Sequence, residues 1–444
     1  MKTKNIVVKL KTTDSTQFAN PEGENNVIIQ LDQTDPNRMT NTNLWINLLR
    51  LNLVPNNTIY DLMNFALAIY TIDQVVSRQT NGFQGWSRHL IVDFPVHDLQ
   101  LWNNVREDFG TYLSFLSGDK WEINFRQSHE TREFEIPEQQ NPDNFTKVSL
   151  FSGGLDSFIG AIDLLTEQEK PFFVSHYKSS ESKIQGKLIN DMKDEFGENN
   201  FTSQRIRVQP NQKNPFAQKE NSSRARSFLF ITLGVASANC IGDSIELILP
   251  ENGLISLNVP LTKSRLSSHS TRTTHPYFVD GLNKTFEKLG IQNKIRNPYR
   301  FKTKGQMIIE CLNREFLNQH ISATMSCSHP ENSRFQGNGR GQNCGYCVPC
   351  IIRQSAEYAA GNISTEYAIG DLRLSPPPQN LKRGSDYRAF KMGLEKLSNI
   401  NNRHSLALQI IRSGPIPYEN SSELDEYISV YERGMNEVNQ FLNS

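Results

Sequence analysis

The chain has 444 residues, too many for one ordinary domain, and 37% of them are apolar, enough for a sizeable core. Lysine plus arginine equals aspartate plus glutamate at 47 each, so no global charge recruits nucleic acid or an anionic surface. Local basic patches stay open, and direct nucleic-acid binding stays open with them.

The opening MKTKNIVVKLKTTDS reads as a polar strand, because its apolar stretch is too short for a signal peptide and recharges at once. NVIIQLD is a second strand. TIYDLMNFALAIYTIDQVVSRQ has helical apolar spacing, with Asn57 and Thr58 as candidate caps. RHLIVDFPV, LWNNVREDFGTYLSFLSG and KWEINFRQ give strand, helix and strand. Residues 1–145 are therefore expected to form an α+β domain that ends in the polar, proline-bearing EIPEQQNPDNFT. It carries no catalytic signature and is expected to be a scaffold or a platform for substrate and partner recognition.

From Lys147 strands alternate with helices. KVSLF, PFFVSHY, QRIRVQ and SIELILP are the strands. The 157–165 stretch, KIQGKLINDMKDEFG and RARSFLFITLGVASANCIG are the helices. That alternation predicts a parallel α/β sheet, with ligands beyond the carboxyl ends of its strands. The longest apolar run, FLFITLGVASANCIG, carries Ser, Asn and Cys and is short for a membrane span. A cytoplasmic protein with no membrane partner is expected. Residues 361–444 begin irregularly and then show two helical stretches, YRAFKMGLEKLSNI and SELDEYISVYERGMNEVNQFL, as a mainly helical extension.

Within KVSLFSGGLDSFIGAIDLL, Gly153 and Gly154 interrupt the passage from strand to helix. Such a bend leaves amide protons unshielded at a helix start and forms an anion nest. Ser152 and Ser157 add hydroxyls, and Asp156 either holds a divalent cation or orients the nest. The spacing matches neither the lysine-bearing triphosphate loop nor the dinucleotide fingerprint. Late in the chain, Cys327, Cys344, Cys347 and Cys350 have the spacing C-x16-C-x2-C-x2-C. Four thiolates favour closed, structural zinc, with an iron–sulfur cluster as the competing ligand set.

SGGLDS resembles the S-G-G-x-D-S loop of the PP-loop ATP pyrophosphatases. The resemblance implies a loop that cradles ATP and a cleavage between its α and β phosphates. Together with CGYCVPCIIR, it resembles the 7-cyano-7-deazaguanine synthases, the QueC family, over residues 146–360. That likeness implies an ATP- and Mg2+-dependent enzyme activating a 7-deazaguanine carboxylate for amide or nitrile formation, with Zn2+ on the four cysteines. Arg353 matches the arginine after the last cysteine. Arg226 keeps the first residue of a family Arg-Asn pair, whereas Ser227 replaces the second. TKGQMI resembles another family segment. The long N-terminal part and the 250–278 stretch look more like the QueC-like (QatC-type) proteins of Qat anti-phage systems. This implies protein partners from the same defence operon and conjugation to an amine as an alternative outcome. A non-catalytic nucleotide sensor and a tRNA-modifying PP-loop enzyme are the competing classes.

Further site expectations lie around this core. His176, at the end of PFFVSHY, is placed to meet adenine or ribose, and Arg226 to assist cofactor binding. Glu251 and Asn252 can read the polar edge of a purine-like ring. Arg265 and Arg272 belong to an acid-free basic loop, where Arg272 can neutralise a carboxylate or phosphate. A solvated basic surface is the alternative, and His275 before Pro276 can simply cap the next helix.

Overall fold

The computed structural model describes residues 3–20, 22–130, 143–177, 179–211, 220, 222–261, 272–328, 342–361, 364–378, 381–400 and 402–444. In chain order its strands are β1 (Thr3–Lys9), β2 (Asn26–Gln30), β3 (Thr40–Thr42), β4 (His89–Val96), β5 (Lys120–Gln127), β6 (Lys147–Leu150), β7 (Pro171–His176), β8 (Thr202–Ile206), β9 (Val208–Pro210), β10 (Glu246–Ile248) and β11 (Ile295–Arg296).

Two parallel sheets dominate. The first runs β2-β1-β4-β5 and the second β11-β10-β6-β7-β8. The first differs from the expected α+β layout. Helices Asn57–Val75 and Arg106–Ser117 are crossovers that return the chain to the same end of the sheet, so β4 and β5 pair in parallel. The predicted 101–118 helix is also broken, into Leu99–Asn103 and Arg106–Ser117. In the second sheet every residue of β7 is buried, as suits a central strand covered on both faces.

The QRIRVQ stretch breaks at Arg207. Its first part is β8 of the second sheet. Its second part, β9, pairs antiparallel with β3 of the N-terminal segment. The N-terminal residues are joined to the second sheet through their core as well. Helix Asn57–Val75 is buried almost all round, and Phe65 meets Phe228 of helix Arg226–Ile241 edge-on at 6.0 Å. One continuous apolar cluster therefore runs from Ile6 and Val8 through Phe65 to Val148 and Leu247. A second cluster lies under helix Leu155–Thr166, and a third unites the C-terminal helices with Leu254 and Ile351.

A buried ion quartet fixes the first junction. Arg78 and Arg88 each bond both Asp73 and Asp119, at 2.5–2.8 Å, with all four side chains almost wholly excluded from solvent. Asp73 also accepts from the amide of Ala225, at the start of the Arg226–Ile241 helix. Arg78 donates its amide to Glu220. Burial pushes the Asp119 carboxyl up, but the two guanidiniums outweigh it and hold it down at about 2. Its contribution is thus complete at neutral pH and drains away only as pH falls from about 4 towards that value.

Asp119→Asn leaves the two guanidiniums with Asp73 as their one shared carboxylate and, for Arg78, the more distant Glu220 at 3.8 Å. It is expected to lower unfolding free energy by about 3–5 kcal/mol, read as a shift of the urea midpoint at pH 7. An unshifted midpoint would show that the quartet contributes nothing to stability.

Candidate functional site

In the second sheet the chain runs outward from β6 to β7 and β8, then returns to β10 on the other side of β6. The order reverses between β6 and β10, and the crevice beyond their carboxyl ends is where open parallel sheets hold ligands. β6 delivers Phe151 to Ser157 to that crevice, and β10 delivers Leu249 to Asn252.

The bend after β6 has the expected form. Gly153 sits at φ +83°, a conformation that strains other residues, and Gly154 caps helix Leu155–Thr166. The loop is densely self-bonded. Ser157 Oγ accepts from the amide of Ser152 at 3.2 Å and donates to the carbonyl of Gly154 at 2.9 Å. Ser152 Oγ lies 3.1 Å from Ser157 Oγ and accepts from the amide of Gly154 at 3.2 Å. A Cβ added to Gly154 would lie 3.3 Å from the carbonyl of Met325, so the neighbouring chain approaches closely.

Asp156 faces inward. Its Oδ1 pairs with Lys304 Nζ at 2.6 Å, and its Oδ2 accepts from Asn252 Nδ2 at 2.7 Å. Burial raises the Asp156 carboxyl, but Lys304 and hydrogen bonds from Glu251, Lys304 and Asn252 bring it below the usual range. The reverse holds for Glu251. Burial and the adjacent Asp156 carboxylate push it well above the usual range, so of the two carboxyls it holds a proton the more tightly. Of the two roles open to Asp156, this geometry is that of an orienting group. Asn252 is fully buried; its Oδ1 caps helix Gly253–Leu257 by accepting from Ile255. The structure thus gathers Ser152, Gly153, Gly154, Asp156, Ser157, Glu251 and Asn252 at one crevice, with Asn252 holding Asp156 from inside.

Lys304, Gln185 and Ser326 are additions that sequence reasoning missed. Lys304 opens helix Lys304–Ile309, where a cation opposes the helix dipole, and that unfavourable placement within TKGQMI was the available signal for a specific anionic partner. Gln185 donates from Nε2 to the carbonyl of Ser152 at 3.0 Å, and Ser326 Oγ accepts from the amide of Leu155 at 3.3 Å. Neither contact has a sequence signal, because both residues come from distant segments.

The remaining expected residues have other surroundings. His176 ends β7 at the same sheet edge but is fully buried, with Arg226 Nε 3.1 Å from its Nδ1 and the Tyr70 ring edge-on. Arg226 also forks onto Glu181 at 2.9 and 2.6 Å. Arg272 donates to the carbonyl of Phe115 at 3.0 Å, and its guanidinium stacks 4.5 Å from that ring. His275 caps helix Pro276–Lys288 through Nδ1, and burial together with Arg272 holds its pKa down at about 3, so it stays neutral. Arg265 lies outside the described residues.

The four cysteines converge. Their sulfurs all lie within 4.8 Å of one another, with Cys327–Cys347 and Cys344–Cys350 at 3.9 Å. A tetrahedron of sulfurs about 2.3 Å from one ion has edges of about 3.8 Å. The set therefore fits a single zinc-type ion, and it is tighter than ligands spread around several irons. Gly345, at φ +88°, makes the knuckle turn, and Cys347 caps helix Val348–Ala359. Arg353 is fully buried and clamps the approach to Cys327. It bonds Glu357, the carbonyls of Ile321 and Thr324, and the Thr365 hydroxyl. A cleft of about 400 Å³ lies alongside, lined by Ile184, Ser322, Thr324, Met325, Asn343 and Glu366 among others.

No protein-family model matches the chain, and no curated protein matches it. Among the described residues no helix is long and apolar enough to cross a membrane. What the residues establish is a parallel-sheet α/β unit with the glycine bend at its switch point and a buried four-cysteine cluster able to hold a metal ion.

Cys347→Ser removes one ligand from a buried set whose binding energy is folding energy. Metal analysis of the purified chain is expected to fall from one zinc per chain to well under half, with a lower Tm. A variant that keeps a full complement of zinc would contradict the assignment.

Proposed function

We propose that the chain is an ATP-dependent enzyme that activates a carboxylate as its adenylate, releasing pyrophosphate, and passes the acyl group to nitrogen. The observation that carries this reading is the position of SGGLDS. The diglycine bend and its hydroxyls lie at the switch point, on the amino end of a 12-residue helix. The narrower parts rest on the likeness of SGGLDS and CGYCVPC to the QueC family. These are a 7-deazaguanine carboxylate as substrate, amide or nitrile formation or conjugation to an amine, and a role in Qat-type anti-phage defence with protein partners from the same operon.

The chemistry assigns simple work to the chain's own residues. Backbone amides of the bend, with Ser152 and Ser157, would hold phosphate oxygens, while Asp156 and Lys304 keep the helix start in place. Magnesium, when bound, offsets the triphosphate charge and improves pyrophosphate as a leaving group. A substrate carboxylate oxygen attacks the α-phosphorus as the bond to pyrophosphate breaks. The amine then attacks the acyl carbon, the bond to AMP breaks, and a proton leaves the nitrogen. Donors fixed before the reaction stabilise the charge that develops at phosphorus. Glu251, raised by burial and by Asp156, directs its proton to the Asp156 carboxylate and so limits the negative charge at the bend.

Pyrophosphate release from ATP and magnesium, with 7-carboxy-7-deazaguanine and ammonia supplied, tests this reading. The wild-type chain is expected to turn over, and Ser157→Ala to lose about 100-fold with its Tm within a few degrees. ATP bound tightly but never cleaved, whatever acceptor is offered, would make the chain a nucleotide sensor instead.

A further inference from the structure

The segment Thr324–Ser326 lies between the cysteine cluster and the glycine bend and touches both. On the bend side, the amide of Met325 donates to the carbonyl of Gly153 at 2.9 Å, and Ser326 Oγ meets the amide of Leu155. On the cluster side, Ser326 donates its amide to Asn343 Oδ1 at 3.2 Å, Asn343 returns a bond to the carbonyl of Thr324, and Arg353 grips that same carbonyl at 2.8 Å. Cys327 follows directly, and Asn343 directly precedes Cys344. The placement of the Ser326 hydroxyl is therefore set by the cysteine knuckle.

Leu155 is the first residue of its helix, and its amide is one of the donors that no helical carbonyl can satisfy. An anion is the natural partner of such an amide, and Ser326 fills that role here. A second observation lies beside the bend. Gln185 is fully buried, and its Nε2 is tied to the Ser152 carbonyl, which can only accept, so the orientation of the amide is fixed. Its Oε1 then has no hydrogen-bond partner among the described residues. A buried acceptor left in this state calls for a donor, which a trapped water or the hydration shell of a cation carried by a phosphate supplies and a bare phosphate oxygen does not.

We propose that Ser326 is a phosphate-contacting residue of the bend, supplied by the cysteine knuckle, so that metal loading and phosphate binding are coupled. The proposal rests on the nucleotide reading above and adds a residue and a linkage to it. A serine hydroxyl serves both states. It accepts from the Leu155 amide when no anion is present. When a phosphate oxygen takes that amide, the hydroxyl turns and donates to the same phosphate. The bend then has three hydroxyls, two from its own strand–helix turn and one from a segment more than 160 residues later. Losing the metal would free Cys327 and Cys344, loosen Ser326 and Asn343 between them, and remove the third donor without touching SGGLDS.

The test uses the full-length, zinc-loaded chain, with ATP plus magnesium and inorganic pyrophosphate as separate calorimetric probes and zinc content measured alongside. Ser326→Ala is expected to keep its zinc and to bind both probes about tenfold more weakly, the loss of one charge-assisted hydrogen bond. Ser326→Thr keeps the hydroxyl and is expected to stay within about threefold of wild type. Wild-type chain stripped of zinc by a chelator is expected to lose at least as much affinity as Ser326→Ala. Binding by Ser326→Ala that equals or exceeds wild type would overturn the proposal, as would unchanged binding by the stripped chain, and either result leaves the nucleotide reading standing. A wild-type chain that binds neither probe overturns both.

Discussion

The ion pair between Asp156 and Lys304 is the contact on which the site's geometry turns. It is nearly excluded from water, with 8% and 4% of the two side chains exposed, so the pair must outweigh the cost of desolvating both charges. It does so because each partner is held by further bonds. Asn252 donates to Asp156 from the β10 side, and the Thr303–Gln306 capping box fixes the turn that begins with Lys304. Glu437, on the C-terminal helix Ser421–Leu442, takes the Thr303 hydroxyl and the amide of Gly305. A chain of contacts therefore runs from the last helix of the protein through Lys304 to the first turn of the helix that carries the glycine bend. The C-terminal residues belong to the architecture of the crevice rather than lying beside it.

The other end of the chain is tied to the second sheet in a comparable way. The first 127 residues contribute a whole sheet, but its main helix is buried on nearly every side, partly against helix Arg226–Ile241 of the second sheet. The Arg78–Arg88–Asp73–Asp119 quartet lies close to that contact and reaches the helix start through Ala225. Uncompensated buried charge makes such a junction intolerant of partial assembly. The second sheet is thus held by elements from both ends of the chain, each anchored by a buried ion pair.

Sequence made the local parts legible. The strand–helix alternation after Lys147, the glycine bend, the His275 cap and the convergence of four cysteines all follow from short-range patterns, and each has its counterpart in the structure. The pairing of β3 with β9, the parallel arrangement of β4 and β5 and the break at Asn104–Val105 were not legible in the same way. They depend on which distant segment a strand or helix meets, and short polar strands such as Thr40–Thr42 carry no periodicity. The site shows the same division. Ser152 to Ser157 could be read from spacing, whereas Lys304, Gln185 and Ser326 reach the bend only through tertiary contacts. His176 and Arg226 illustrate the converse. The position of His176 at the end of its strand was foreseeable, but the burial of the two residues against each other and Glu181 was not, since a partner 45 residues from Arg226 decides it.

Charge balance sets the last constraint. Lys304 is committed to Asp156, Arg226 to Glu181 and Arg353 to Glu357, while burial and Asp156 raise the Glu251 carboxyl well above the usual range. On the proposed reading the bend would hold its anion through oriented amides and hydroxyls and not through any of these side-chain cations. Dipoles of this kind discriminate by geometry and contribute modest energy per contact, in contrast to the lysine of a triphosphate loop. A triphosphate with its full charge would be poorly matched to such a seat. One that arrives with a divalent cation already on its oxygens brings the missing positive charge with it. On the proposed reading the metal would accompany the nucleotide, because the carboxylate beside the bend is paired with Lys304.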